Sequence, residues 1–371
     1  MKPMNRADEL LRRVERAQRG KLKVYLGYAA GVGKTYRMLE EAHALVRQGV
    51  DVVLGYIEPH DRKETIALLE GLEVVPRQRI DYRGVVIVEM NLPAILARRP
   101  HVAIVDELAH TNAPGLRNRK RYQDVLELLE AGIHVITAFN IQHLESLNDL
   151  VSRAASVQVR ETVPDTVLRR ALVVNIDLSV DDLLARLEAG KIYAADKVSR
   201  ALEGFFKDAT LSTLRELSLR EVADSVEVDE RPAGTAARVM VCMSSFPPHA
   251  ATLLRRASRM AGRLSTDWFV VYVETPGESV QRIDAEVQRR LHANLDLARE
   301  LGGEVVRLQG RDPSTMLLDF ARSHGVGHIV IGRSHQPWWR QLVGRSVPLR
   351  LVREADGFDL HIVSFGSQVD E

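Results

Sequence analysis

The sequence contains very little cysteine, and it lacks an excess of either charge. Cys242 is the single cysteine in 371 residues, which excludes an intrachain disulfide and a thiolate metal cage. Lys and Arg number 51 against 50 Asp and Glu, so the net charge does not favour nucleic acid or an anionic membrane as a partner. We therefore expect a globular, cytoplasmic protein that binds no nucleic acid.

Long hydrophobic runs are absent as well. The apolar runs have the length of strands, as at 85–88, and none approaches the roughly 18 residues that a membrane-spanning helix needs. Residues 1–20 carry charges throughout and have no apolar core, so they do not resemble a secretory signal. Leu10, Leu11 and Val14 instead predict a short amphipathic helix within 1–20, and we expect no membrane span.

Strand-length apolar runs alternate with segments of helical period in two blocks, which is typical of parallel sheets covered by helices. The strands predicted in the first block, residues 21–176, are 22–27, 51–57, 84–88, 101–105, 133–138 and 171–176. Residues 177–228 lack a strand pattern and predict a helical extension interrupted at Gly190. The charged run 229–237, with Pro232 and Gly234, predicts a linker.

The second block, residues 238–366, predicts another α/β domain. Its predicted strands are 238–243, 268–273, 304–308, 327–332 and 359–364, and its predicted helices are 248–262, 279–301, 313–324 and 345–354. The fold class expected for the whole chain is therefore α/β with two domains.

A glycine-rich loop follows the first predicted strand. The stretch KVYLGYAAGVGKTYRM matches the phosphate-loop pattern G-x-x-x-x-G-K-[ST] at Gly33, Lys34 and Thr35, whereas Tyr28 occupies the first glycine position. A loop between a buried strand and a helix presents backbone N–H groups and the helix dipole to an anion. The pattern predicts a P-loop NTPase-like sheet, and the alternative is a glycine-rich turn with an exposed lysine.

If the loop holds ATP, its backbone and side chains contact the phosphates. The expected nucleotide-binding residues are Gly31, Val32, Gly33, Lys34, Thr35 and Tyr36. The Lys34 ammonium would reach the β- and γ-phosphates, and the Thr35 hydroxyl would ligate Mg²⁺.

Two acidic residues end the predicted strand 101–105 in the stretch HVAIVDELAHTN. An aspartate in this position, here Asp106, reaches Mg²⁺ beside the phosphates, and Glu107 would orient or deprotonate the nucleophile. The predicted catalytic residues are thus Lys34, Asp106 and Glu107.

Three more polar clusters follow predicted strands or loops at the edge where open α/β sheets bind ligands. The first would position a nucleophile or clamp a phosphate, or is simply a charged helix start, and consists of Glu58, His60, Asp61 and Arg62. The second would sense the γ-phosphate, or caps a helix, and consists of Asn140, Gln142 and His143. The third would be an arginine finger or an acidic-partner surface, with a solvated basic face as the favoured interpretation, and consists of Arg117, Arg119, Lys120 and Arg121.

The strings GVGKTY, VDELAHTNAPG, KRYQDVLELLEAGI, NIQHLESLND and RETVPD resemble the cytoplasmic N-terminal region of the KdpD potassium-sensing histidine kinases, over about residues 20–366. The resemblance implies an ATP-binding domain followed by a universal-stress-like domain. In that family four membrane helices and a histidine kinase core follow, whereas this chain ends at Glu371. Histidine autophosphorylation is therefore not expected from these residues alone.

The second block resembles a universal-stress-protein domain through MVCMSSFPPHA, HIVIGRS and GRSVPLRLV. It departs from the nucleotide-binding members, because Cys242 and Met243 replace a strand-end acid and only Gly332 and Ser346 fit the glycine loop. Some members of the KdpD family bind cyclic di-AMP through this domain. The residues that loosely match their binding site are Ser244, Ser245, Trp268, Phe269 and Tyr272. Trp338 and Trp339 would stack on a base, dock a partner or pack within their loop.

Together these features predict a regulatory module of potassium homeostasis that binds Mg-ATP. The leading hypothesis is an atypical protein serine kinase. The alternatives are a non-catalytic module that senses ATP or cyclic di-AMP and a simple ATPase. The expected partners are a histidine kinase sensor and components of the potassium-uptake system.

Overall fold

The computed structural model describes residues 19–363 apart from 61, 156–158, 170, 194–197, 200, 203, 228–237, 244–249, 265, 276–284, 333–349, 352 and 354–356. The predictions that lie wholly or mostly outside the described residues are the helix within 1–20, the linker 229–237, the helix 345–354, Asp61, Ser244, Ser245, Trp338, Trp339 and Ser346. The chain divides into two compact units, with the main division between residues 223 and 224.

A parallel sheet forms the core of the first unit. In the described part of this unit the strands pair in the order β3-β2-β6-β7-β1-β8. These strands are β1 (Leu22–Gly27), β2 (Val52–Tyr56), β3 (Glu73–Val74), β6 (Val102–Val105), β7 (His134–Asn140) and β8 (Ala171–Asn175). The central strands are buried along most of their length, and this explains why they read as continuous apolar runs rather than alternating ones.

The strand predicted at 84–88 forms, but it does not belong to this parallel sheet. It is β5 (Val85–Glu89), which pairs antiparallel with β4 (Gln78–Tyr82) in a separate two-stranded sheet. The turn between them has positive φ at Arg83 and Gly84, the backbone that a two-residue hairpin requires. The prediction placed β5 in the alternating block because an apolar run does not show whether its partner is local or distant.

The helices between residues 34 and 227 connect the strands of the first sheet and build the extension. They are α1 (Lys34–Arg47), α2 (Lys63–Ala67), α3 (Leu92–Arg98), α4 (Arg121–Glu130), α5 (Asn148–Ala155), α6 (Asp165–Leu168), α7 (Val180–Glu188) and α8 (Asp208–Glu227). The Ser179 hydroxyl caps α7 by accepting a hydrogen bond from the Asp182 N–H at 3.1 Å. Gly190 follows α7 with φ of 68°, which confirms the predicted interruption.

The second unit has its own parallel sheet, ordered β11-β10-β9-β12-β13 in the described residues. Its elements are β9 (Arg238–Met243), α9 (Ala250–Arg263), β10 (Trp268–Glu274), α10 (Ala285–Glu300), β11 (Glu304–Gln309), α11 (Pro313–Ser323), β12 (Val326–Gly332) and β13 (Asp359–Val363). All five predicted strands are present.

The aromatic residues that loosely matched a cyclic di-AMP site lie inside the second unit. Trp268 and Tyr272 belong to the core on one face of the sheet, and Phe269 belongs to the core on the other. All three side chains are buried, so they pack the domain interior and do not offer an open ring face to a ligand.

None of the helices in the described ranges has the length and hydropathy that crossing a bilayer requires.

Candidate functional site

The glycine-rich loop connects β1 to α1 in the way the sequence predicts. Gly31 and Gly33 have φ of 91° and 105°, a left-handed backbone that costs little only for glycine. The first helical hydrogen bond runs from the Arg37 N–H to the Gly33 carbonyl oxygen at 3.0 Å. Val32 is buried in the core, and the Tyr36 side chain is exposed on α1. The loop therefore turns tightly and presents main-chain groups at the start of the helix.

Tyr28 occupies the loop position where the usual pattern has glycine. Its side chain is only 1% exposed, and its hydroxyl donates a hydrogen bond to the Leu178 carbonyl oxygen at 3.1 Å. Burial raises the pKa of Tyr28 to about 12, so the hydroxyl remains a donor. The departure from the pattern thus anchors the loop to the segment after β8.

Lys34 is buried within its own loop, with 8% of the residue exposed. Its Nζ donates a hydrogen bond to the Ala29 carbonyl oxygen at 2.8 Å. Burial lowers the pKa of Lys34 to about 7, while the nearby Asp106 acts in the opposite direction. The alternative of a turn with a solvent-exposed lysine is therefore wrong.

The hydroxyl and the carboxylate expected at the magnesium site lie side by side. Thr35 Oγ1 donates a hydrogen bond to Asp106 Oδ2 at 3.0 Å, and Asp106 Oδ1 accepts one from the Glu107 N–H at 2.8 Å. Burial raises the pKa of the Asp106 carboxyl, an effect that its hydrogen bonds oppose. Hydroxyl and carboxylate oxygens are ligands that Mg²⁺ accepts, so this pair fits the ion.

The strand order explains why these residues meet. β7 lies between β1 and β6, and parallel strands end at the same edge of the sheet. Gly27, the last residue of β1, pairs with Asn140, the last residue of β7. Among the described residues Asn140 Oδ1 is buried without a hydrogen-bond partner. An unsatisfied acceptor oxygen at this edge suits contact with a donor on a bound group.

Glu107 stands at the open side of this edge, with 35% of its side chain exposed. Its φ of 56° is left-handed, which is uncommon for a residue with a side chain. Oε2 lies 3.8 Å from Arg121 Nη1, and Oε1 lies 3.9 Å from His60 Nε2. Burial, followed by the Asp106 charge, raises the pKa of the Glu107 carboxyl.

The first polar cluster is brought only partly to this site. His60 contacts Glu107, whereas Glu58 lies 3.5 Å from Arg77 Nη1. Arg62 is half-buried, and its Nε lacks a hydrogen-bond partner within the described chain. Burial lowers the pKa of Arg62.

In the second cluster, Gln142 and His143 form hydrogen bonds with nearby protein groups. His143 Nδ1 lies 2.8 Å from the Glu161 carbonyl oxygen and Gln142 Nε2 lies 3.2 Å from His143 Nε2. Burial lowers the pKa of His143, so the neutral ring is favoured. A backbone carbonyl accepts from Nδ1–H, which leaves Nε2 as the acceptor for the Gln142 amide.

The basic run does not behave as a single solvated face. Arg117 and Arg119 are exposed, and Lys120 Nζ donates to Thr111 Oγ1 at 2.7 Å. Arg121 is wholly buried, with its guanidinium 3.8 Å from the centre of the Tyr56 ring. The prediction of a solvated face was wrong for Arg121. Its neighbours in the sequence are polar, but as the first residue of α4 its side chain faces the core.

Sequence reasoning missed residues that contact the loop, or contact Arg121 beside Glu107, from distant positions. Arg186 on α7 donates from Nη1 to the Gly31 carbonyl oxygen at 3.2 Å, and Ile192 packs against Gly31. Glu89 at the end of β5 forms a buried ion pair with Arg121 at 2.8 Å. For Glu89 a signal was available, because it is an acid at the end of an apolar strand. For Arg186 the local sequence offered no signal.

Gly31→Ala is expected to destabilise the first unit by about 1–3 kcal/mol, because the left-handed backbone disfavours a side chain. In addition, the new Cβ would lie 2.3 Å from Ile192 Cδ1. Urea unfolding followed by circular dichroism measures the change. Gly33→Ala is the matched control, since it shares the positive φ but meets nothing nearer than Arg186 Nη1 at 4.0 Å among the described residues. Equal losses in both variants would contradict the crowding by Ile192.

The fold and this edge define a class: a two-domain parallel α/β protein whose first domain carries a glycine-rich loop beside a strand-end acidic pair. Residues 18–226 match the family model described as the KdpD osmosensitive K+ channel His kinase sensor domain, and residues 236–363 match the universal stress protein family. The chain belongs to the KdpD family.

Two relatives show how much of the family's length this chain represents. It is 45% identical over 369 residues to the sensor protein KdpD of Escherichia coli (strain K12), covering 96% of this chain and 41% of that protein. It is 43% identical over 357 residues to a KdpD sensor relative from Synechocystis sp., covering 94% of this chain and 95% of that protein. The chain thus spans less than half of the first relative.

Solved structures similar to part of the chain are universal stress proteins. One, in complex with cAMP, is 19% identical and covers 35% of this chain and 98% of its own, with a TM-score of 0.29. Another, from Archaeoglobus fulgidus, is 21% identical and covers 34% of this chain and 97% of its own, with a TM-score of 0.28.

Proposed function

We propose that the first domain of this KdpD-family chain binds Mg-ATP at the carboxyl edge of its sheet. The loop amides around Gly31 and Gly33 hold the phosphates, and Lys34 supplies a positive charge to the β- and γ-phosphates. Thr35 and Asp106 hold Mg²⁺, which neutralises charge on the phosphates when bound. The contact of 3.0 Å between Thr35 Oγ1 and Asp106 Oδ2 is the observation that carries the proposal.

The same residues support transfer of the γ-phosphoryl group. Glu107 lies next to Asp106, is partly exposed, and has a carboxylate that can accept a proton from a hydroxyl nucleophile. The nucleophile's oxygen forms a bond to the γ-phosphorus, the bond from that phosphorus to the bridging oxygen breaks, and ADP leaves. Lys34 stabilises the charge that develops on the leaving oxygens, and Asn140 Oδ1 is available to accept a hydrogen bond from the nucleophile.

We propose that the acceptor of the phosphoryl group is a protein serine and that this reaction takes part in potassium homeostasis. The chain would then act as a regulatory part of a two-component system, with a histidine kinase sensor and potassium-uptake components as partners. The family relationship and the description of the matching sensor domain support this setting. If ATP is bound without turnover, the module instead biases a partner through its differential affinity for two states.

Incubation with γ-labelled ATP, Mg²⁺ and purified potassium-pump subunits tests the proposed function. We expect label on a serine of a pump subunit, located by mass spectrometry, and no label when Mg²⁺ is chelated. Release of free phosphate alone would replace the kinase by an ATPase. Binding of ATP by calorimetry without either product would leave a sensing module, and absence of binding would overturn the proposal.

A further inference from the structure

A buried charge network contacts Glu107 through Arg121. Arg121, the first residue of α4, has a fully buried side chain, and its Nη2 donates to Glu89 Oε2 at 2.8 Å. Glu89 is 2% exposed and also accepts from the Ala113 N–H at 2.9 Å, with His110 Nε2 at 3.0 Å. A buried carboxylate with this many partners has one fixed position.

Arg121 extends from Glu89 to the acidic pair at the end of β6. Its Nη1 donates to the Asp106 carbonyl oxygen at 3.5 Å and lies 3.8 Å from Glu107 Oε2. That carbonyl belongs to the peptide bond joining Asp106 to Glu107. One guanidinium therefore contacts both the backbone that sets the direction of Glu107 and the carboxylate at its end.

The backbone of Glu107 requires such support. A left-handed residue with a side chain persists where its surroundings hold it, and such residues concentrate at functional sites. The Glu107 carbonyl oxygen accepts from the His110 N–H at 2.9 Å, and Tyr56 stacks on the Arg121 guanidinium. The contacts of the Arg121 guanidinium therefore fit a role in placing Glu107.

Stability alone is a poor reason for this arrangement. Buried ion pairs are often matched or exceeded in stability by apolar residues of similar volume, because desolvation opposes the attraction. Arg121 Nε also has no hydrogen-bond partner among the described residues, so the network is not optimised as a structural element.

We propose that Arg121, held by Glu89, is a positioning residue that aims Glu107 at the nucleophile during γ-phosphoryl transfer. The inference rests on the proposed function. It adds that Glu89, at the end of the hairpin β4–β5, influences Glu107 through Arg121. Among its described interactions Arg121 contacts no residue of the glycine-rich loop, and it reaches Asp106 at the carbonyl oxygen and not at the carboxylate that would hold Mg²⁺. The inference therefore assigns Arg121 to the chemical step and not to ATP binding.

The test separates kcat from ATP affinity in Arg121→Met, Arg121→Lys and the double variant Arg121→Met/Glu89→Gln. The double variant leaves no unpaired carboxylate in the interior, so it keeps the experiment informative if Arg121→Met fails to fold. We expect kcat to fall about 10- to 100-fold in the methionine variants, the range that misplacement of a catalytic group produces, with the Kd for Mg-ATP within about 3-fold. Arg121→Lys should recover part of kcat. Arg153→Met, on an exposed arginine of α5, is the matched control and should change neither quantity.

A double-mutant cycle with Glu107→Gln distinguishes positioning from a general structural role. If Arg121 acts through Glu107, Arg121→Met adds little further loss in the Glu107→Gln background. Additive losses, a parallel rise in Kd, or an unchanged kcat in the methionine variants would overturn this inference while leaving the proposed function intact. A wild-type protein that binds Mg-ATP but forms no product would overturn the proposed phosphoryl transfer, and the inference with it, and would leave the sensing module.

Discussion

Lys34→Met is expected to weaken Mg-ATP binding by about 10- to 100-fold, since a charge-assisted hydrogen bond contributes roughly 1.5–3 kcal/mol. Methionine keeps the length and apolar character of the side chain but supplies no charge to the phosphates. Isothermal titration calorimetry with Mg-ATP measures the change. Lys23→Met is the matched control, because Lys23 lies on β1, before the loop, and pairs with Glu41 at 2.7 Å.

The stability of Lys34→Met distinguishes a loss of ATP affinity from a folding defect. Because burial lowers the pKa of Lys34 to about 7, the folded protein binds this proton less tightly than the unfolded chain does. Charged Lys34 therefore opposes folding fully below pH 7, and the opposition fades as the pH rises toward the ordinary lysine value. Lys34→Met should be at least as stable as wild type at pH 6, with the difference shrinking at higher pH. Unchanged ATP affinity would contradict the role given to Lys34.

The parts of the site that follow local rules could be predicted from the sequence. A buried strand, a glycine turn and an amphipathic helix occur in succession, so the position of Lys34 and Thr35 follows from the pattern alone. Asp106 could be assigned in the same way, because a strand-end acid in a parallel sheet lies at the edge shared with the loop. The hydrogen bond between Thr35 and Asp106 agrees with this reasoning.

The remaining parts depend on contacts between positions far apart in the sequence. Tyr28 looks like a defect in the motif until its hydroxyl is seen to reach Leu178, 150 residues away. Arg121 sits in a run of basic residues typical of a solvated surface, yet it enters the interior because Glu89 arrives there from a different sheet. Neither periodicity nor composition carries that information, since buried charge is decided by which partners the tertiary fold supplies.

Glu107→Gln is expected to lower kcat for phosphoryl transfer by about 10²- to 10³-fold, within the range that general bases contribute. Glutamine keeps the volume of the side chain and an oxygen that can face Arg121 at the position now 3.8 Å from Nη1. It cannot accept a proton from the nucleophile at neutral pH. Single-turnover assays with γ-labelled ATP measure kcat, and calorimetry measures the Kd, which should stay within about 3-fold of wild type.

The partly exposed carboxylate of Glu40, on α1 and paired with Arg37 at 2.9 Å, gives the matched control as Glu40→Gln. That variant loses the same charge but lies outside the site, so its kcat should equal that of wild type. A full rate in Glu107→Gln would mean that the nucleophile reacts without this carboxylate. The left-handed backbone at residue 107 and its contact with Arg121 would then need another explanation, because the inference assigns both to aiming this carboxylate at the nucleophile.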